Sequence, residues 1–286
     1  MNNLEEALFS TESIKIAPSN QPFWYTSGTI GPYFINTHFL YGSETEAVKL
    51  LSFINESKDN PELFLRELTK QVISFYENNI LFKKVIDCFY NLIKDLKEFH
   101  ESEYISGGER RDWFFSPIIA HLSNKKLLYI YKDLKVYLNN KEITDLDNSK
   151  ITHICDLVTQ ASSFERAWIP AIKRRNGNMI LTASIVDRDE GGAKLFIDNN
   201  IKYIHAVKID NDFLTKIKNA GIINEAQIKI IKDFKADPNS FGKKFILNNN
   251  SFITDSLKDD KIRQKAERCI NENPYNIDFK KIINDE

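Results

Sequence analysis

Residues 151–168 read ITHICDLVTQASSFERAW. Ile151 to Ile154 have strand character and run into Cys155 and Asp156; Leu157 to Ser163 then form a loop of hydroxyl and small side chains, and a helical pattern follows. A strand that ends in a carboxylate and passes through a Thr/Ser loop into a helix has a physical use. The first-turn amides and the positive end of the helix dipole hold a phosphate, while the carboxylate faces sugar hydroxyls. Thr159, Ser162 and Ser163 would add hydroxyl donors. The other reading is an ordinary capped βα turn, because Ser and Thr are favoured N-caps in any case.

On both sides of this stretch, short β-rich runs alternate with helical ones. From Glu103 the order is EYIS, WFFSPIIAHL, LLYIYKD, ITHICDLV, SFERAWIPAIKRR, MILTASIVD, EGGAKLFIDN and YIHAVKI. Such alternation predicts βαβ units in an α/β, Rossmann-like parallel sheet with helices on both faces, and a ligand beyond the strand C-termini. KVYLNNKEIT alternates around Asn139-Asn140 and predicts an inserted β-hairpin arm.

Further out the pattern is helical. Leu4 to Phe9 is a short amphipathic segment, followed by the aromatic stretch PFWYTSGTIGPYFINTHFLYG. Ser43 with Glu46 forms a capping box that opens a helix with Val48, Leu51 and Phe53 toward a core; Asn60-Pro61 caps the next. Leu63 to Tyr76 and Leu81 to Leu96 predict a helical pair. Beyond Asp210, FLTKIKNAG, NEAQIKIIKDF and DDKIRQKAERCI are helical, and a frayed tail is expected past Pro274. The expected division is an N-terminal helical and base-binding segment at 1–102, an α/β core at 103–210 and a helical extension at 211–286.

Composition narrows the function classes. With 286 residues and 42% apolar side chains, one large domain or a core with an extension fits the chain. Thirty-nine basic residues against 40 acidic ones leave a net charge of -1, so no overall field draws the chain to nucleic acid or an anionic membrane. An anion site must therefore be built locally. Cys88, Cys155 and Cys269 are far apart, without the spacing of a zinc site or a disulfide framework, and the five histidines show no ligand spacing. The first residues carry acids where a signal peptide carries bases, and no apolar run approaches a membrane span. A cytoplasmic setting is expected.

At Asp156, Thr159 and Ser162 the chain resembles the phosphoribosyl pyrophosphate motif of the type I phosphoribosyltransferases, most of all the orotate-using kind. Four further segments fall in that family's order. TSGTIGPYFIN keeps Ser27, Gly28, Pro32, Tyr33, Phe34 and Asn36. ISGGERRDWFFSPIIA is similar to the pyrophosphate loop, with Gly107, Gly108 and Glu109 at the turn and Arg111 at a lysine position. YKDLK resembles the entry to a mobile catalytic loop, with Lys132 and Lys135, and IVDRDEGG keeps Asp187, Arg188 and Gly191. The likeness runs from Phe23 to Ile209.

This resemblance implies transfer of phosphoribosyl from phosphoribosyl pyrophosphate to orotate, giving orotidine 5′-monophosphate and pyrophosphate. Asp156, Lys132, Lys135 and Arg111 are the implied catalytic residues. The donor would be held by Gly107, Gly108, Glu109, Cys155, Asp156, Thr159, Gln160, Ala161, Ser162 and Ser163, and orotate by Ser27, Gly28, Phe34 and Arg188. Mg²⁺ would be chelated mainly by the donor, with no direct protein ligand assigned and Asp156 the candidate within reach. A homodimer is implied.

The alternatives are local. Lys132 and Lys135 are also what a solvated hairpin carries, Arg188 has Asp187 and Glu190 as ion-pair partners, and Phe34 lies among core aromatics. Thr26 stands at a family lysine, Cys155 at an acid, Ala161 at a glycine, and the mobile loop has no histidine. These departures point to a second reading, a diverged protein of the same fold that binds a nucleotide or sugar phosphate, or one that uses another base.

Overall fold

The computed structural model describes residues 3–18, 20–249 and 251–284. The β-rich runs form one sheet of seven strands: β1 (Tyr104–Gly108), β2 (Lys126–Ile130), β3 (Val136–Leu138), β4 (Lys141–Glu142), β5 (Lys150–Val158), β6 (Asn178–Asp187) and β7 (Lys202–Lys208). Their spatial order is β7-β6-β5-β1-β2-β3-β4. The first five in that order are parallel, and β3 and β4 add an antiparallel hairpin at the edge. The chain leaves β1 toward β2 on one side and returns to β5 on the other. The C-terminal ends of β1 and β5 therefore part at the topological switch point, where a crevice must open.

The crossovers are helical as the alternation predicts: Ser116–Ser123 joins β1 to β2, a continuous helical stretch ending in Ile169–Lys173 joins β5 to β6, and Ala193–Asp198 joins β6 to β7. Phe164, Trp168, Ile172 and Phe196 pack on Leu128, Ile130 and Ile151 of the sheet. Helices Pro61–Asn78 and Ile80–Ile93 bury Phe64, Leu68, Phe82 and Phe89, and they pack against Ser116–Ser123.

Ser43 caps helix Glu44–Ser57 by accepting from the Glu46 amide. The buried stripe of that helix is Ala47, Leu50 and Ile54, while Val48 is 48% exposed. The expected set of Val48, Leu51 and Phe53 is corrected accordingly: the i, i+3, i+7 positions that start from Ala47 form the apolar face.

Contacts divide the chain into two units. One comprises Asn36–Phe213 with the chain up to Ser13; the other comprises Ile14–Ile35 with the chain from Leu214 onward. This differs from the expected division at 102 and 210. Residues 36–102 belong with the sheet, and residues 14–35 belong with the C-terminal helices.

In the second unit, Ile14–Ile16 pairs antiparallel with Tyr33–Ile35, and Phe23–Trp24 pairs with Ile30–Gly31. Its core gathers Trp24, Ile30, Ile246, Ile253, Tyr275 and Phe279. The tail expected to fray past Pro274 is instead packed. Tyr275, Ile277, Phe279 and Ile282 are buried, and the Tyr275 hydroxyl accepts from the Ile30 amide at 2.7 Å. Four apolar side chains in so short a run remove enough surface from water to hold it. Asp285 and Glu286 lie outside the described residues. Among the described residues no helix is long and apolar enough to cross a membrane.

Candidate active site

A cleft of about 280 Å³ opens where the ends of β1 and β5 part. Glu109, Arg110, Arg111 and Asp112 line it from the turn after β1, and Lys132 lines it from the turn after β2. Cys155, Asp156, Leu157, Thr159, Gln160, Ala161, Ser162, Ser163, Phe164 and Trp168 line it from β5 and the segment that follows. The fold thus brings together the expected Glu109, Arg111, Lys132, Cys155, Asp156 and the whole of Thr159 to Ser163.

The loop after β5 is held by its neighbours. The Gly192 amide donates to the Thr159 carbonyl at 3.1 Å and the Arg188 amide to the Val158 carbonyl at 2.9 Å, so the end of β6 braces it. A Cβ on Gly192 would come within 2.6 Å of the Thr159 carbonyl oxygen, which explains the glycine. Ala161 takes φ +55°, the left-handed conformation for which a glycine was the family choice. Helix entry follows at once through a wide, π-type turn over Phe164–Trp168, a form common at functional sites. Gln160, Ser162 and Ser163 are exposed, and Arg166 donates to the Ser162 carbonyl at 3.2 Å and to its hydroxyl at 3.3 Å.

Beneath the loop lies a buried pair of carboxyl groups. Asp112 Oδ1 accepts from the Asp156 amide at 3.0 Å, and Asp112 Oδ2 accepts from the Gly108 amide at 2.9 Å. The Thr37 hydroxyl donates to Asp156 Oδ2 at 2.6 Å. Burial raises both acids to about 7; the backbone donors partly counter this at Asp112, and the adjacent Asp112 charge adds to it at Asp156. The Cys155 side chain packs into the sheet core, its thiol pushed up by burial, so β5 presents one carboxyl here.

Cations rim the other side. Glu109 is tied by Lys58 Nζ at 2.7 Å and by the Lys132 amide at 3.0 Å, which fixes the turn that carries Arg110 and Arg111. Arg110 sits at φ +141°, and its Nε has no hydrogen-bond partner among the described residues. His38 is lowered to about 3, first by burial and then by the Arg111 and Arg110 guanidiniums. Arg110, Arg111 and Lys132 thus line one side of the cleft, and the Thr159–Ser163 loop with Asp156 lines the other.

Other expected residues lie elsewhere. Gly107 and Gly108 are buried in β1, where added Cβ atoms would meet Ser116 Oγ at 2.2 Å and the Trp168 ring at 2.3 Å. They serve close packing under the cleft. Lys135 is exposed, pairs with Asp133 at 3.4 Å, and faces a separate hollow with Glu142, Arg174 and Arg175. Arg188 directly follows β6, outside the cleft lining, with its Nε 2.9 Å from Glu190. In the second unit, Ser27 is exposed and bonded to Thr29 at 2.8 Å, Gly28 takes φ +78° in a turn against Arg268, and Phe34 packs edge-on to Phe23 at 4.9 Å. Sequence reasoning missed Asp112 and Arg110; their only signal was their place just after a glycine pair at a strand end.

No family model matches the chain. Two orotate phosphoribosyltransferases are similar in sequence. The one from Methanosphaera stadtmanae is 30% identical over 122 residues, covering 42% of this chain and 68% of that protein. The one from Sulfurisphaera tokodaii is 28% identical over 121 residues, covering 42% of this chain and 61%, less than two thirds, of that protein. Among solved structures, UMP synthase from Leishmania donovani shares the fold with a TM-score of 0.55 at 14% identity, over 82% of this chain and 41% of that one. Orotate phosphoribosyltransferase from Francisella tularensis does so with a TM-score of 0.51 at 16% identity, over 81% of this chain and 96% of that one.

Proposed function

This chain belongs to the type I phosphoribosyltransferase family, of the orotate phosphoribosyltransferase kind, and from that premise we propose that it transfers phosphoribosyl from phosphoribosyl pyrophosphate to orotate. The observation that carries the reading is the cleft itself. One crevice at the switch point is lined by the Thr159–Ser163 loop, a buried carboxyl pair and three cations. In the reaction the bond from the anomeric carbon to the pyrophosphate oxygen breaks and a bond to the ring nitrogen forms, the nitrogen's proton passing to solvent.

Charge placement is the protein's main task in such a displacement. Arg111 and Lys132, joined by Arg110, neutralise the leaving pyrophosphate, and Asp156 holds the sugar hydroxyls. Lys135, turned to Asp133, has no part in this reading. Arg188 would exchange Glu190 for the orotate carboxylate. Among the described residues no group of three or more His, Cys, Asp or Glu side chains is arranged to hold an ion, and Mg²⁺ enters the proposal as part of the donor substrate. The family likeness also carries a homodimer and a cytoplasmic setting into the proposal.

Mixing the protein with Mg²⁺, orotate and phosphoribosyl pyrophosphate should release pyrophosphate, and Asp156→Asn should abolish it. Tight sugar-phosphate binding without product would favour the second reading, a binding protein of the same fold. Two observations speak for that reading: the thiol at 155 turned into the core, and the alanine at the left-handed position 161.

A further inference from the structure

We propose that Asp112 is a positioning residue of the sugar site: by clamping Asp156 it makes the cleft select an intact ribose diol. The proposal deepens, and rests on, the phosphoribosyl-transfer reading. Asp112 leaves the turn after β1, is 6% exposed, and uses a single carboxylate to bind the amide of Gly108 in β1 and the amide of Asp156 in β5. One side chain thus ties together the two strand ends whose parting makes the cleft.

His153 packs behind Asp112 without a hydrogen bond from its Nε2 among the described residues. His153 Nε2 lies 3.4 Å from Asp112 Oδ2, and His153 Nδ1 lies 2.9 Å from the Ser106 hydroxyl. Ser106 and His153 are register partners across β1 and β5, so the support is part of the sheet. In front, the Asp112 carboxylate holds the Asp156 backbone amide at 3.0 Å, and the Asp156 carboxyl receives the Thr37 hydroxyl at 2.6 Å. A carboxyl whose backbone is pinned by one partner and whose oxygen is held by another keeps one angle toward the cleft and can meet both hydroxyls of a vicinal diol; a swinging one meets them singly. The side chain at 155 supplies no substitute, because its thiol packs in the core.

The test is calorimetric titration of the metal-free protein with ribose 5-phosphate, 2-deoxyribose 5-phosphate and inorganic phosphate. The protein should prefer ribose 5-phosphate by about tenfold, the worth of one charge-assisted hydrogen bond. Asp112→Asn should narrow that preference to about twofold while phosphate affinity stays constant. An unchanged preference in folded Asp112→Asn overturns the inference. If that variant loses its cooperative unfolding transition, Thr37→Val decides instead: a narrowed preference supports the clamp, and an unchanged one overturns it. A wild-type protein that binds both sugar phosphates equally sinks this inference alone. One that binds neither sinks the phosphoribosyl-transfer reading.

Discussion

The turn that closes β5 and the hairpin that ends the sheet at β3 and β4 are both polar, and both contain left-handed residues, yet they differ in what holds them. The turn is braced by the Gly192 and Arg188 amides, by the Asp112 carboxylate under Asp156, and by Phe164 and Trp168 packed in the core. The hairpin turns on exposed Asn139 and half-buried Asn140, whose side-chain amide donates to the Glu62 carbonyl, and its lysine at 135 pairs with Asp133 in its own turn. The difference teaches that polar and charged side chains are brought into one candidate site where strand ends part at the switch point; charge on an exposed edge is not enough. Lys132 and Lys135, three residues apart, lie on opposite sides of that distinction.

The largest effect should therefore separate those two lysines. Lys132→Ala removes a cation that lines the cleft, and kcat/KM for pyrophosphate release should fall on the order of 10²-fold, as for loss of one preorganised donor. Lys135→Ala removes half of an exposed ion pair and should stay within about twofold. Equal losses in the two variants would bring the hairpin into the reaction and break the comparison.

A second test sharpens it through pH. Asp112 and Asp156 are raised to about 7, so between about pH 4 and 7 the folded state binds protons that the unfolded chain gives up, and stability falls as pH rises through that window. His38 and His153 are lowered to about 3 by burial, so the unfolded chain takes up protons as pH falls from about 6.5, and stability falls in that direction. The two trends oppose each other between about pH 4 and 6.5, and the melting temperature should change little there. Asp112→Asn removes one acid and takes the neighbouring charge from the other, so the histidine trend outweighs what burial leaves at Asp156. Its unfolding free energy should rise steadily from pH 4 to 6.5, by an amount of order a few kcal/mol, and its melting temperature with it. Parallel profiles for the two proteins would show that the pair does not share its charge as described.

Local pattern made most of the sheet legible. Strand alternation, helical spacing and the Asn139-Asn140 turn are properties of short windows, and the hydroxyl loop at Thr159 to Ser163 announced a helix entry. What escaped was long-range. Asp112 meets Asp156 across 44 residues of chain, and Trp24 donates to Ser256 across 232, so neither the clamp nor the union of residues 14–35 with the C-terminal helices leaves a periodic trace. The packed tail escaped for the same reason, since Tyr275 finds its partner at Ile30. Lys132 and Lys135 are alike in composition, and only the turn geometry separates them.

The smallest predicted effect compares the left-handed residues themselves. Asparagine tolerates that conformation through its short polar side chain, so Asn139→Gly should leave stability within about 0.5 kcal/mol. Alanine has no such compensation, and Ala161 at φ +55° costs roughly 1–2 kcal/mol that glycine would not. Glycine in turn loosens the unfolded chain by about 0.4–1 kcal/mol. Ala161→Gly should thus stabilise the protein by roughly 0–1.6 kcal/mol, or a rise of no more than about 6 °C in melting temperature. A fall instead would mean that the braced turn, and not the alanine, sets the left-handed backbone at the mouth of the cleft, with the Gly192 and Glu165 amides alone enough to hold it.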